Sequence, residues 1–116
     1  MKIRRIVPDI TGSDFRASKE FYTSVLGLQC AMDLGWVMTF VSTNNPIAQI
    51  TIIQKDQSAP MNPHISIEVE DLMAVFSHAQ AAGAEIIYPL TEEPWGVRRF
   101  FVRDPNGVII NVLSQD

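Results

Sequence analysis

The sequence predicts an α+β fold of two successive βαβββ modules, each a single sheet covered by its own helix. Three observations predict it. His64–Val69 alternates strictly, with Ile65, Ile67 and Val69 on one face and His64, Ser66 and Glu68 on the other, the mark of a half-buried strand. Directly after it, Leu72, Val75, Phe76 and Ala79 follow the i, i+3, i+4, i+7 stripe of an amphipathic helix. The first half of the chain repeats this arrangement at a fixed offset: Val7 to His64 and Asp14 to Asp71 are each 57 residues, and Gly27 to Gly83 is 56. Strand, helix cap and helix stop thus recur together, with little residue identity.

In chain order, Lys2–Thr11 reads as the first strand, with Ile6 and Ile10 on one face and Val7, Asp9 and Thr11 on the other. Pro8 cannot donate to a ladder, which places part of this strand at an edge or bulge. Gly12-Ser13-Asp14 turns the chain, and Ser13 or Asp14 caps a helix over Phe15–Leu26. Ala17, Phe21 and Val25 form its stripe with Tyr22 beside it, and Gly27 stops it. Strands follow over Leu28–Asp33, from Gly35-Trp36 to Val41, and over Ile47–Gln54, with the polar loop Ser42–Pro46 before the last. On that strand Gln49 and Thr51 share a face with Ile53, while Ile50 and Ile52 point the other way. Lys55–Pro63 reads as a linker. Module one therefore spans about 1–56, the linker about 57–62 and module two about 63–116, all within a single domain.

In module two, Asp71 caps the second helix, Gly83 ends it, and Glu85–Leu90 is a strand. A hairpin closes the chain: Val97–Arg103, the turn Asp104-Pro105-Asn106-Gly107, then Val108–Leu113. Asp bonds its own backbone in such a turn, Pro presets φ, and Asn-Gly accepts positive φ. Arg98 and Arg99 are adjacent in a strand, so one points each way. Asn111 sits among Val and Ile; a buried amide needs partners, supplied by a neighbouring loop or by a group in a cavity.

The chain has 116 residues, a net charge of −4, 47% apolar and 19% charged residues, a globular composition. Positive charge gathers only at Lys2, Arg4, Arg5 and at Arg98, Arg99, Arg103, which disfavours nucleic acid. No stretch has the length of a membrane span, and no basic start precedes an apolar signal core. Cys30 is the single cysteine, so no internal disulfide forms and a cytoplasmic location is expected. Cys30 reads as a small core residue, with a nucleophile as the alternative.

The faces opposite the helices carry Asp9, Thr11, Gln49, Thr51, His64, Ser66 and Glu68 among apolar residues. Apolar walls with a few placed polar groups suit a small-molecule pocket. On the strand after Gly35, either Trp36, Met38 and Phe40 or Val37, Thr39 and Val41 face it. Trp36 and Trp95 either stack a flat ligand or pack in a core or interface. Glu92 and Glu93 form a solvated loop or a cavity rim. No GxSxG, phosphate loop or HExxH occurs.

The closing stretch PWGVRRFFVRDPNG, the segment DFRASKEFYTSVLGL and the run His64–Gly83 together resemble the vicinal oxygen chelate superfamily. That group includes glyoxalase I, ring-cleaving dioxygenases, fosfomycin-resistance enzymes and bleomycin-resistance proteins. The resemblance implies curved mixed sheets with helices outside, modules paired within one chain or between two, and a site inside the curve. Many members bind a divalent metal. The matching positions here are Val7, His64 and Asn111, with Gln49 or Thr51 near a fourth. Val7 cannot ligate, and Asn111 stands where metal-binding members have Glu. A transition-metal site wants about three anionic or imidazole ligands, so no metal cofactor is expected. His64 is either bonded to a neighbouring backbone group, a hydrogen-bond partner for a ligand, or a general base; His78 lies on the surface. The expectation is a metal-free homodimer of sequestration or resistance type. It would hold a small aromatic or amphipathic molecule at Asp9, Trp36, Phe40, Gln49, Thr51, His64, Ser66, Trp95, Arg98 and Asn111, and the net charge mildly favours a cation. The alternative is a metal-dependent or His64-based lyase, isomerase or dioxygenase.

Overall fold

The computed structural model describes residues 1–115. Its elements are β1 (Ile3–Thr11), α1 (Phe15–Glu20) continued by a π-helical stretch (Phe21–Val25), β2 (Gln29–Asp33), β3 (Val37–Val41), β4 (Gln49–Ile53), β5 (Ile65–Val69), α2 (Leu72–Ala81), β6 (Glu85–Glu92), β7 (Arg98–Arg103) and β8 (Ile109–Ser114). The order βαβββ therefore occurs twice, and the fold is α+β. In the first half β4 lies between parallel β1 and antiparallel β3, with β2 beyond β3. In the second half β8 lies between parallel β5 and antiparallel β7, with β6 beyond β7.

The chain divides into two compact units, Val7–Asn62 and Met1–Ile6 with everything from Pro63 onward; these are called module one and module two below. The division falls inside β1, where the sequence suggested an uninterrupted first module. Two interactions tie these first residues to the rest of module two. The Arg5 guanidinium pairs with the buried Glu68 carboxylate, and Glu70 N–H donates to the Lys2 carbonyl at 3.0 Å. The expected linker is a tied loop. Asp56 Oδ1 accepts from Ser58 and Ala59 N–H at 3.0 and 2.9 Å. Asn62 Oδ1 accepts from Asp56 N–H at 2.7 Å, while its amide donates to Thr11 Oγ1 at 3.1 Å and the Gln54 carbonyl at 3.2 Å. These side chains take the place of a regular backbone ladder.

In module one, Asp14 rather than Ser13 is the helix cap, accepting from Ala17 N–H at 3.0 Å. The core is Met38, Phe40 and Ile52, with Phe15, Tyr22, Leu28, Cys30 and Ile50 packed against it. Tyr22 stacks on Phe40 at 5.2 Å. The inward helical residues are thus Phe15 and Tyr22, with half-buried Ser18 between them, and not the expected stripe of Ala17, Phe21 and Val25. Ser18, being polar, hid the true stripe. Gly12 permits the close approach: a Cβ there would stand 3.1 Å from Ile52 Cγ2. After Glu20 the backbone widens into π geometry, where the Thr23 hydroxyl donates to the Lys19 carbonyl at 2.6 Å and competes with the regular ladder. Ile10 pairs with Ile52 in register and so lies on the helix side, yet it stays 40% exposed.

The core between helix and sheet is better sealed in module two. Val69, Leu72, Phe100 and Val112 are buried, with Ile67, Val75, Phe76 and Ala79 packed against them. Phe76 meets Phe100 edge-on at 5.0 Å. Asp71 caps α2 through Ala74 N–H at 3.1 Å. In the closing turn, Asp104 Oδ1 accepts from both Asn106 and Val108 N–H at 2.8 Å, and Gly107 takes φ 82°, which a side chain would resist. The Val108 N–H, ahead of the other donors, holds the Asp104 carboxyl below its ordinary value. Among the described residues, no helix is long and apolar enough to cross a membrane.

Candidate functional site

The helix-side cores fix which residues face the other way. In module one Met38, Phe40, Ile50 and Ile52 belong to the helix side, so alternation turns Val37, Thr39, Thr51 and Ile53 to the opposite face. Phe40, expected to line a cavity there, is instead wholly buried under Tyr22. The register aligns Asp9 with Thr51 and Thr51 with Thr39. This makes a polar row across three strands, with the two threonine hydroxyl oxygens 3.0 Å apart. Val7 is buried. Gln49 Nε2 donates to the Pro46 carbonyl at 2.7 Å, which commits this amide to its own loop. Trp36 is half-buried in the bend before β3, and its carbonyl accepts from Gln54 N–H at 2.9 Å.

In module two, Phe100, Val102, Ile110 and Val112 take the helix side. The opposite face is built in two rows. The first runs Ser66, Asn111, Phe101, Tyr88 and the second Glu68, Leu113, Arg99, Thr91. In the first row Asn111 Nδ2 donates to Ser66 Oγ at 3.0 Å. Asn111 is 8% exposed, and its Oδ1 is buried without a hydrogen-bond partner. Exchanging the amide's two ends leaves the same problem, because Ser66 satisfies only one of them. Phe101 is fully buried beside it, and the Tyr88 ring lies 5.1 Å from the Phe101 ring.

The second row holds a buried ion pair. Arg99 Nε donates to Glu93 Oε2 at 2.6 Å, and both residues are 4% exposed. Tyr88 Oη donates to the same carboxylate oxygen at 3.2 Å. The guanidinium carbon lies 4.9 Å from the Phe101 ring centroid, 5.1 Å from Trp95 and 5.4 Å from Tyr88. Three aromatic rings and a carboxylate therefore hold one cation, an arrangement strengthened by removal from water. This corrects two expectations: Arg98 takes the Phe100 side, away from this face, and Glu93 is buried instead of solvated, because Arg99 neutralises it. Trp95 lies against Arg99, in keeping with the packing alternative. The hairpin register held a usable signal: with Phe101 opposite Asn111, alternation puts Arg99, not Arg98, on the Asn111 side.

His64 stands at the start of β5, exposed, with its N–H donating to the Ile109 carbonyl and its Nδ1 accepting from Ile109 N–H, each at 2.9 Å. A neutral ring that accepts at Nδ1 carries its proton on Nε2. The carboxylates on this face are also committed, Glu68 to Arg5 and Glu93 to Arg99. Among the described residues, no three His, Cys, Asp or Glu side chains gather to hold a metal ion. What the face offers chemically is one buried amide with an unmatched end, in a row that continues through buried Phe101 to the half-buried Tyr88 ring.

Comparison with known proteins agrees with this architecture. A family model described as the Glyoxalase/Bleomycin resistance protein/Dioxygenase superfamily matches residues 2–112. No curated protein sequence matches. Among solved structures, methylmalonyl-CoA epimerase from Mycobacterium tuberculosis is similar with a TM-score of 0.77 at 17% identity, over 98% of this chain and 89% of that one. A glyoxalase/bleomycin resistance protein/dioxygenase superfamily member from Vibrio splendidus 12B01 gives 0.72 at 16% identity, over 97% and 99%. The Mn(II)-bound glyoxalase from Novosphingobium aromaticivorans gives 0.66 at 21% identity, over 98% of this chain and 38% of that one. At these identities the likeness establishes the fold alone.

Proposed function

Because the chain belongs to the Glyoxalase/Bleomycin resistance protein/Dioxygenase superfamily, we propose that it binds a small aromatic or amphipathic molecule on the sheet faces turned from its helices. It does so as a metal-free homodimer that sequesters its ligand. The observation that carries this reading is the Asn111 amide, buried, tethered to Ser66 at one end and unpartnered at the other. An unmatched buried polar group costs about 1–3 kcal/mol, which a hydrogen-bonding group on a ligand recovers. In the same row, the half-buried Tyr88 ring, packed on Phe101, supplies the flat aromatic surface that such sites favour. Cytoplasmic residence completes the proposal, supported by the single half-buried cysteine.

The donor set does not fit a divalent transition metal. Val7 has no donor atom, and Asn111 is neutral. The Nδ1 lone pair of His64 is given to the Ile109 N–H, so ligating a metal through Nε2 would cost that hydrogen bond. The same commitment opposes His64 as a general base, since taking a proton at Nδ1 would break that bond. The enzymatic alternative, a metal-dependent or His64-based lyase, isomerase or dioxygenase, loses support on both counts.

The test combines three measurements on untagged protein. Elemental mass spectrometry after incubation with Zn, Mn, Fe, Co and Ni should find no stoichiometric metal. Light scattering should give a dimer mass. A thermal-shift screen should find stabilising aromatic ligands whose effect disappears in Asn111→Leu. One metal retained per chain, a monomer, or ligand shifts indifferent to Asn111 would each overturn the part of the proposal it addresses.

A further inference from the structure

We propose that module one carries a second binding site, on its helix side, for a zwitterion with an apolar body. A cleft of about 570 Å³ opens between α1 and the segment joining β2 to β3, within the usual size range of small-molecule sites. Phe15 and Met38 form its apolar part. Arg16, Lys19 and Glu20 line it from the helix, and Asp33 from the end of β2. None of these four side chains joins an ion pair among the described residues. Arg16 and Glu20 stand at i, i+4, where opposite charges ordinarily meet, yet they remain apart. Asp33 uses Oδ1 to accept the Gly35 N–H at 2.9 Å.

Two cations and two carboxylates thus surround an apolar surface, and their charges cancel. A plain anion would gain at Arg16 and Lys19 and lose at Glu20 and Asp33; a plain cation would do the reverse. A molecule bearing both signs satisfies both pairs, and an aromatic side chain fills the space over Phe15 and Met38. Aromatic α-amino acids are the simplest members of that class. The cleft shares no residue with the Asn111 face, so ligand binding here is independent of the reading above.

The test is an amide chemical-shift titration of the full chain with L-phenylalanine, phenylacetate and phenethylamine. Shifts should concentrate in Phe15–Thr23 and Asp33–Met38, with phenylalanine binding roughly tenfold tighter than either single-charge analogue. Arg16→Gln with Lys19→Gln should weaken phenylalanine about tenfold, the size of a lost charged contact, while leaving the folded spectrum intact. The proposal is overturned if these segments do not respond, if phenylacetate or phenethylamine binds as well as phenylalanine, or if the double substitution leaves affinity unchanged.

Discussion

The two modules run the same sequence of elements and pack them differently. In module one the helical segment buries no residue completely, and Phe21, Val25 and Leu26 are 49, 65 and 56% exposed. In module two Leu72 is sealed at 2% exposure and Phe76 locks against Phe100. The opposite faces differ as strongly. Module one has a hydroxyl pair, Thr39 and Thr51. Module two has a cation wrapped by three rings and tied to a buried carboxylate. Repetition of topology therefore does not imply repetition of packing. Module two seals its helix against the sheet, and module one leaves the apolar residues Phe21, Val25 and Leu26 of its helical segment exposed.

The largest expected effect tests that asymmetry directly. Phe100→Ala should lower stability by about 3–5 kcal/mol, the cost of a cavity in a sealed core. Phe21→Ala should change the monomeric chain by no more than about 0.5 kcal/mol, as for an exposed site. Urea denaturation measures both, and equal losses would erase the distinction between modules. Next, Arg99→Met should cost roughly 3 kcal/mol, because it strands the Glu93 carboxylate in a dry site. Adding Glu93→Gln should restore most of that loss, and a double variant no better than the single one would show that the pair is not the source. Asn111→Leu should leave stability unchanged or raise it by about 1 kcal/mol, since it removes an unmatched buried group, while abolishing ligand-induced thermal shifts.

The smallest effect concerns pH. The Val108 N–H, foremost among its donors, holds the folded Asp104 carboxyl below the ordinary value of 3.8. A lowered folded value means that the unfolded chain binds the proton more readily. The contribution is therefore present above 3.8 and is lost as pH falls through the folded value. Asp104→Asn should melt below the parent at neutral pH, with the gap closing in acid. A gap that widens in acid would contradict this assignment.

Much of the architecture was legible in the sequence because it rests on local chemistry. Strand alternation, the Asp71 cap and the Asp104–Gly107 turn each follow from side chains acting on nearby backbone. The π-helical stretch was not legible: it arises where the Thr23 hydroxyl competes for a carbonyl, and Ser18 conceals the inward stripe. Asn111 stood out as an amide among Val and Ile, and His64 and Ser66 through strand alternation; the family resemblance pointed to Asn111 and His64 as well. The burial of Glu93 and Arg99 was hidden because two charged residues on separate segments read as solvated until their contact is known.

Because β1 is divided between the units, the halves of this chain are not independent parts. A polypeptide starting at Pro63 would have Glu68 without Arg5 and the Glu70 amide without the Lys2 carbonyl. A polypeptide ending at Asn62 would carry six leading residues whose unit was missing. The repeat looks divisible on paper, but its first strand contributes residues to both units, so cutting between the repeats leaves neither piece complete. Supplying a peptide of the first six residues to the later fragment would be the simplest attempt at reconstitution.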